Sequence, residues 1–333
     1  MLLATGCSFS AGGGETYGED KVEEKLSEDV RPAVERVRKL CAGNADSKTF
    51  IYFTDPHLLG IKSDFSDEIK NGVVSALSAA KEVYDVLKPA FCLCGGDWLN
   101  AWDTQAVAKE KILYADKQMK AMFSNYHKML GNHDTNYQGM VSETDSSWGD
   151  FPREFIDREY FSESGSAYHS FYAADTRFYV LDSGSDWHKD MDDYRWEQLL
   201  WLAGELQEDK SEHIMLCTHM FHTEGSTLPM SDLLIEICDA FNSRQSIDLQ
   251  GRSFSFASAK GSIHAVFAGH THVDDLVYLG KSRNIPVIET CNLCYTSEYT
   301  SFDICVIDYP GGKLHLVRCG AGESREVKIA EAK

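Results

Sequence analysis

Apolar positions along this chain recur in two rhythms. Over residues 67–88, Ile69, Val73, Leu77, Ala80, Val83 and Leu87 return every three or four residues, the spacing of one helix face. Further helices are predicted over 104–125, 191–207 and 231–243. Another is predicted over 21–41, interrupted near Pro32. The second rhythm is a short unbroken apolar run that stops abruptly in polar residues. "TFIYFTDPHL", "PAFCLCGGDWLN", "YHKMLGNHD", "HIMLCTHMF" and "SIHAVFAGHTH" share that form and predict buried strands. "YHSFYAADTRFYVLDSG" reads as a hairpin turning at "AADT". "DDLVYLG", "IPVIETCN", "SFDICVIDY" and "KLHLVRC" add short strands toward the C-terminus.

Strand and helix alternating at this spacing predict an α/β layered core. Residues 135–167 break the rhythm as a polar, aromatic insert with a short helix near 151–158. With no internal repeat and no strong linker, the expectation is one domain over 46–325, preceded by a tail and helix over 1–45.

Composition narrows the classes. The formal charge is -20, from 32 basic and 52 acidic residues, which disfavours long nucleic acid as a partner. It does not forbid a small phosphorylated substrate, because bound cations invert the field inside a pocket. No apolar run approaches the roughly 18 residues of a transmembrane helix. Ten cysteines are scattered through the chain, with Cys92, Cys94, Cys217 and Cys305 inside predicted strands, which suits reduced, packed thiols. "CNLC" offers Cys291 and Cys294 as a C-x-x-C pair, but no second pair accompanies it. The start, "MLLATGCSFSAGGGE", lacks a complete signal peptide, so a cytoplasmic protein is expected as written. Its "ATGC" is similar to the end of a bacterial lipoprotein signal, which keeps an exported or anchored form open. Oligomeric state is not legible.

Metal-suited residues gather at strand ends. They are Asp55 and His57 in "TDPHL", Asp97 in "GGDWLN", Asn132 and His133 in "LGNHD", His219 in "CTHMF", and His270 and His272 in "AGHTH". Ligands collect at the carboxyl ends of strands in open α/β sheets. Carboxylate and imidazole together suit manganese, iron, zinc or nickel better than calcium. Any one of these fragments alone is an ordinary turn or a packed histidine. All of them, each directly after an apolar segment, call for a common cause.

The ordered set D-x-H, G-D-x-x-N, G-N-H-D, H and G-H-x-H resembles the calcineurin-like metallophosphoesterases, over about residues 49–275. The resemblance implies a four-layer α-β-β-α sandwich, which the strand pattern alone does not derive. It implies a site for two divalent or trivalent transition-metal ions and hydrolysis of a phosphate ester. By position, Asp55, His57 and His272 would hold the first ion, Asp97 would bridge, and Asn132, His219 and His270 would complete the second. His133 would meet the scissile phosphate or protonate the leaving group, and Asp134 would orient it. Thr271 would place its two neighbours, and Asn100 would support.

The substrate is less legible. Tyr137, Trp148, Phe151, Tyr160, Phe161 and Trp187 are candidate rim aromatics, although packing of the insert is the favoured reading of them. His222 follows His219 closely enough to reach the same pocket. A small phosphodiester or nucleotide is the modest preference. Two other classes stand beside it: a binding module on the same fold without turnover, and a surface-anchored binding protein.

Overall fold

The computed structural model describes residues 26–44, 46–58, 67–100, 103–136, 150–183, 192–221, 230–281, 284–293 and 301–329. Tyr137, Trp148, Trp187, His222, Cys294 and the "ATGC" start lie outside them.

Helix α1 (Arg31–Gly43) leads into β1 (Lys48–Phe53). Pro32 stands in the first turn of α1. The expected interruption is therefore a beginning, because the first turn has no intrahelical acceptor for the N–H that proline lacks. Then follow α2 (Asp67–Leu87), β2 (Cys92–Cys94), α3 (Gln105–Met122) and β3 (Tyr126–Lys128). The insert contributes a short helical stretch over Arg153–Tyr160, ending in a π-helical turn. Next come β4 (His169–Ala173), β5 (Thr176–Leu181), α4 (Asp192–Glu208), β6 (His213–Thr218) and α5 (Met230–Asn242). The chain finishes through β7 (Ser246–Leu249), β8 (Arg252–Ser255), β9 (Ser262–Ala268), β10 (Asp275–Leu279), β11 (Ile285–Glu289), β12 (Ser301–Asp308), β13 (Lys313–Gly320) and β14 (Arg325–Lys328). The hairpin β7–β8 and strand β14 were not expected from the sequence pattern. The expected β4–β5 hairpin turns at Ala174 and Asp175, both left-handed as a two-residue turn requires.

Two six-stranded sheets result. Their orders are β14-β13-β12-β1-β2-β3 and β10-β11-β9-β6-β5-β4. In the first, β1, β2 and β3 run parallel; in the second, β5, β6, β9 and β11 do.

The alternation of side chains explains the layers. Phe50 and Tyr52 of β1 and Leu93 of β2 point between the sheets, where they meet Phe178, Met215, Cys217 and Phe267. Their neighbours Ile51, Phe53, Cys92 and Cys94 point outward beneath Val34, Val37, Leu77 and Val83 of α1 and α2. On the second sheet, Tyr179, Leu216 and Val266 pack under Leu202, Leu206, Ile237 and Phe241 of α4 and α5. These are the four layers helix, sheet, sheet, helix. Strands covered on both faces must be apolar throughout, which is why their sequences show no alternation. Cys92, Cys94, Cys217 and Cys305 are buried free thiols.

The insert makes its own small core. Phe151, Phe155, Tyr160 and Phe161 pack with Leu99, Ala108, Ile112 and Leu130. Phe151, Tyr160 and Phe161 are therefore packing residues and not a rim for substrate. Lys128 at the end of β3 ties α3 to the insert, donating to Asp116 of the one and to the Tyr160 carbonyl of the other.

Candidate metal centre

The parallel strands of both sheets release their C-terminal loops at the same end of the sandwich. Backbone hydrogen bonds lock those loops together. The Asp55 N–H donates to Gly96 O, the His57 N–H to Asp97 O, and the Gly269 N–H to His219 O. This brings Asp55, His57, Asp97, Asn132, His133, His219, His270 and His272 into one site.

Each side chain is aimed by its second polar atom. The His57 Nδ1–H donates to Leu99 O at 3.1 Å, and the His219 Nδ1–H to Gly95 O at 2.6 Å. A carbonyl can only accept, so both rings present Nε2 to the site. Asp55 Oδ2 accepts from Thr54 Oγ1 at 2.5 Å and from the His270 N–H at 3.0 Å. Its Oδ1 is buried without a well-formed hydrogen bond, 3.2 Å from His272 Nε2. Asp97 Oδ1 accepts from the His133 N–H at 2.9 Å, which leaves Oδ2 facing His219 Nε2 at 3.1 Å and His57 Nε2 at 3.7 Å. Asn132 Oδ1 lies 3.1 Å from His219 Nε2 and 3.0 Å from His270 Nδ1. His57 Nε2 and His272 Nε2 stand 3.1 Å apart.

Those separations fit a metal. Adjacent donors on an ion with bonds near ~2.1 Å stand ~3.0–3.4 Å apart. Two clusters follow: Asp55 with His57 and His272, and Asp97 with His219 and His270. A third joins His57, Asp97 and His133. Two carboxylates this deeply buried cost several kcal/mol each unless compensated, which two divalent ions would do.

The charges of the metal-free site point the same way. Burial alone would raise Asp55 and Asp97, but His219 and neighbouring imidazoles outweigh it and hold both carboxyls low. Burial pulls His57 down to about 4, keeping its ring neutral. Burial also opposes charge on His219, yet Asp97 and Asp55 push it up to about 10.

Backbone strain marks the same residues. Asp55, His57, Asp97, His270 and His272 have φ of 52°, 42°, 60°, 72° and 61°. A non-glycine residue in this region costs of order 1–3 kcal/mol and persists where surrounding structure enforces it. Gly131 is needed for a related reason: a Cβ there would overlap Asp97 Oδ1 and its backbone nitrogen. Gly131→Ala is expected to displace Asp97 and lower metal-dependent turnover by about 10–100-fold. Metal content and turnover of the folded variant test this, and unchanged turnover would remove the role given to Gly131.

The expected role of Asp134 needs correction. Its Oδ1 accepts from the Trp98 and Leu99 N–H groups at 2.7 and 3.1 Å, and its Oδ2 from Asp97 and Gly131 at 2.8 and 3.2 Å. It organises strand-end backbone and does not hold the His133 ring, whose Nδ1 is buried without a partner. The reason is that Asp134 is fully buried and both its oxygens are taken by backbone amides. Burial and the Asp97 charge raise its carboxyl to about 7 despite those donors. The His133 ring instead stands edge-on to His57, with centroids 4.7 Å apart. Asn100 is half-buried, one residue beyond the Leu99 carbonyl that fixes His57.

Two supporting residues were not anticipated. Thr54 fixes Asp55, and Glu289 accepts from Thr271 Oγ1 at 2.8 Å, which braces the loop between His270 and His272. Position beside Asp55 was the available signal for Thr54. Glu289 becomes a candidate only once β11 is known to lie beside β9.

The fold has counterparts among solved structures. A dimetal phosphatase from Danio rerio has a similar fold, with a TM-score of 0.59 at 14% identity, covering 85% of this chain and 99% of that one. GAP50 of Plasmodium, described as the anchor in the inner membrane complex, aligns more loosely, with a TM-score of 0.47 at 11% identity over 86% of this chain and 90% of its own. No curated protein matches the sequence. The sequence pattern of the calcineurin-like phosphoesterases matches residues 48–274. With that match and two clusters of donors able to hold divalent ions, this chain belongs to the calcineurin-like phosphoesterase family and is a metal-dependent phosphoesterase.

Proposed function

We propose that the substrate is a small phosphodiester or nucleotide, hydrolysed at a pair of ions held by Asp55, His57, Asp97, Asn132, His219, His270 and His272. The observation that carries the diester preference is the charge inventory of the site. Among the described residues, the ion-pair partners of Asp55 and Asp97 are the imidazoles of His57, His219 and His272, and neither carboxylate pairs with a lysine or arginine. A singly charged diester needs less positive charge than a doubly charged monoester. The net charge of -20 favours a small substrate over a long polyanion.

When bound, two divalent ions neutralise phosphoryl oxygens and lower the pKa of water. Mn, Fe, Zn or Ni suits these nitrogen and oxygen donors. The chain's own part is to place them. Asp97 presents one oxygen between the two clusters. Asn132 adds an amide oxygen without adding charge. His133, half-buried at the edge, contacts the substrate phosphate or gives a proton to the leaving oxygen. Asn100, Tyr137 and His222 are the candidate substrate contacts.

Metal-stripped protein reconstituted with Mn²⁺, Fe²⁺, Zn²⁺ or Ni²⁺ should hydrolyse bis-p-nitrophenyl phosphate faster than p-nitrophenyl phosphate. The reverse order would overturn the diester reading. A protein that takes up no ion would overturn the ligand set.

Uptake should also depend on pH. The metal-free site holds a proton on His219, and a ligand imidazole must be neutral. Binding therefore releases that proton, and apparent affinity should rise by up to about tenfold per pH unit from pH 6 to 8. Calorimetry in buffers of different ionisation enthalpy reads this directly; a pH-independent affinity without proton release contradicts it.

A further inference from the structure

We infer that Arg318, on β13 and beyond the stretch that matches the family pattern, is a positioning residue for one of the two metal sites. The inference rests on the reading of His272 as a ligand.

His272 is followed after one residue by Asp274. The carboxylate of Asp274 receives Arg318 through two guanidinium nitrogens, Nη2 to Oδ1 at 2.6 Å and Nη1 to Oδ2 at 2.9 Å. It also accepts from the Cys291 N–H at 2.9 Å. Arg318 is itself fixed from the other side. Its Nε donates to Asp303 Oδ1 at 2.8 Å, and its Nη1 donates to Ala321 O at 2.9 Å. Asp303 is fully buried and also accepts from Thr290. A Cβ on Gly322 would press on the guanidinium, so the chain leaves space for it there.

The geometry is a strut. Asp303 and Arg318 belong to β12 and β13 of the first sheet, whereas Asp274 ends the loop that carries His270 and His272 from the second. His272 stands between two braces: Thr271 on Glu289 before it, and Asp274 on Arg318 after it. It also adopts a left-handed backbone that the loop would relax if released. A planar, doubly bonded guanidinium fixes direction as well as distance, which a lysine does not. His270 has a separate hold, its N–H on Asp55 Oδ2. Loss of Arg318 should therefore weaken the ion held by Asp55, His57 and His272 and spare the one held by Asp97, His219 and His270.

The test is ion binding to the metal-stripped full chain, followed by Mn²⁺ calorimetry and metal content after dialysis. Wild type should bind two ions. Arg318→Lys and Asp274→Asn should each weaken one ion by about 10–100-fold, the effect usual for a partner that orients a ligand, and retain the other. The double variant should show little further loss. Asn242→Ala is the control for mere destabilisation. It removes two hydrogen bonds to Ile263, at the end of β9 far from His270, and should keep both ions. Two ions of unchanged affinity in both folded variants would overturn the inference. Equal weakening of both ions, or the same loss in Asn242→Ala, would also overturn it. If Arg318→Lys does not fold, Asp274→Asn alone decides by the same criteria. A wild type without ions would instead overturn the ligand set itself.

Discussion

Asp97→Asn should lose at least about 100-fold in metal-dependent turnover and fail to retain two ions after dialysis. That loss exceeds the 10–100-fold usual for residues that only orient a ligand, because Asp97 serves more than one cluster. Its side chain groups with His219 and His270 on one side and with His57 and His133 on the other. Its Oδ2 faces both His219 and His57, while Oδ1 is committed to the His133 N–H. Asparagine has nearly the same shape and can still accept from His133. What it lacks is the negative charge that holds two cations close together. The experiment therefore isolates charge from shape. Turnover and metal content measured on one preparation give the answer. A variant that kept both ions and wild-type turnover would refute the role of Asp97 as the shared carboxylate.

Much of this site was legible in the sequence because its residues sit at fixed offsets from strands. Asp55 and His57, and likewise His270 and His272, are two residues apart after apolar runs. What local spacing could not carry was the arrangement of the sheets. The pairing of β1 with β12 joins residues more than two hundred positions apart, and nothing in either segment names its partner. Without that pairing, Arg318 and Asp303 are ordinary strand charges, and Glu289 is an ordinary strand end. The hairpin β7–β8 was missed because its residues, "SIDL" and "RSFS", carry little apolar signal. The rim aromatics of the insert were ambiguous because a large ring at a surface loop packs or binds with the same sequence signature. Burial of Phe151, Tyr160 and Phe161 decides those three for packing. The left-handed backbone at five site residues has no sequence signal at all. Aspartate and histidine tolerate it better than branched residues do, but they are common elsewhere.

Asp134→Asn should destabilise the fold by about 2–6 kcal/mol, more than a residue that merely oriented His133 would. Above the pH of about 7 to which burial and Asp97 raise it, the carboxylate satisfies four buried N–H donors with two oxygens, from Asp97, Trp98, Leu99 and Gly131. An amide of the same size offers one accepting oxygen. Its NH₂ group would face two of those donors, and each buried donor left unpaired costs about 1–3 kcal/mol. The loop it braces carries Asp97, so turnover should fall as well, but as a consequence of a loosened site. His133→Ala provides the contrast. That ring is half-buried, its backbone N–H bond to Asp97 survives, and stability should change little while turnover falls. Urea denaturation of both metal-free variants above that pH, where Asp134 is ionised, separates the two residues. If Asp134→Asn retained wild-type stability and lost turnover to the same extent as His133→Ala, Asp134 would act through His133 after all. A large loss of stability confined to Asp134→Asn places the fourth residue of "GNHD" in the scaffold, with the chemistry one position earlier.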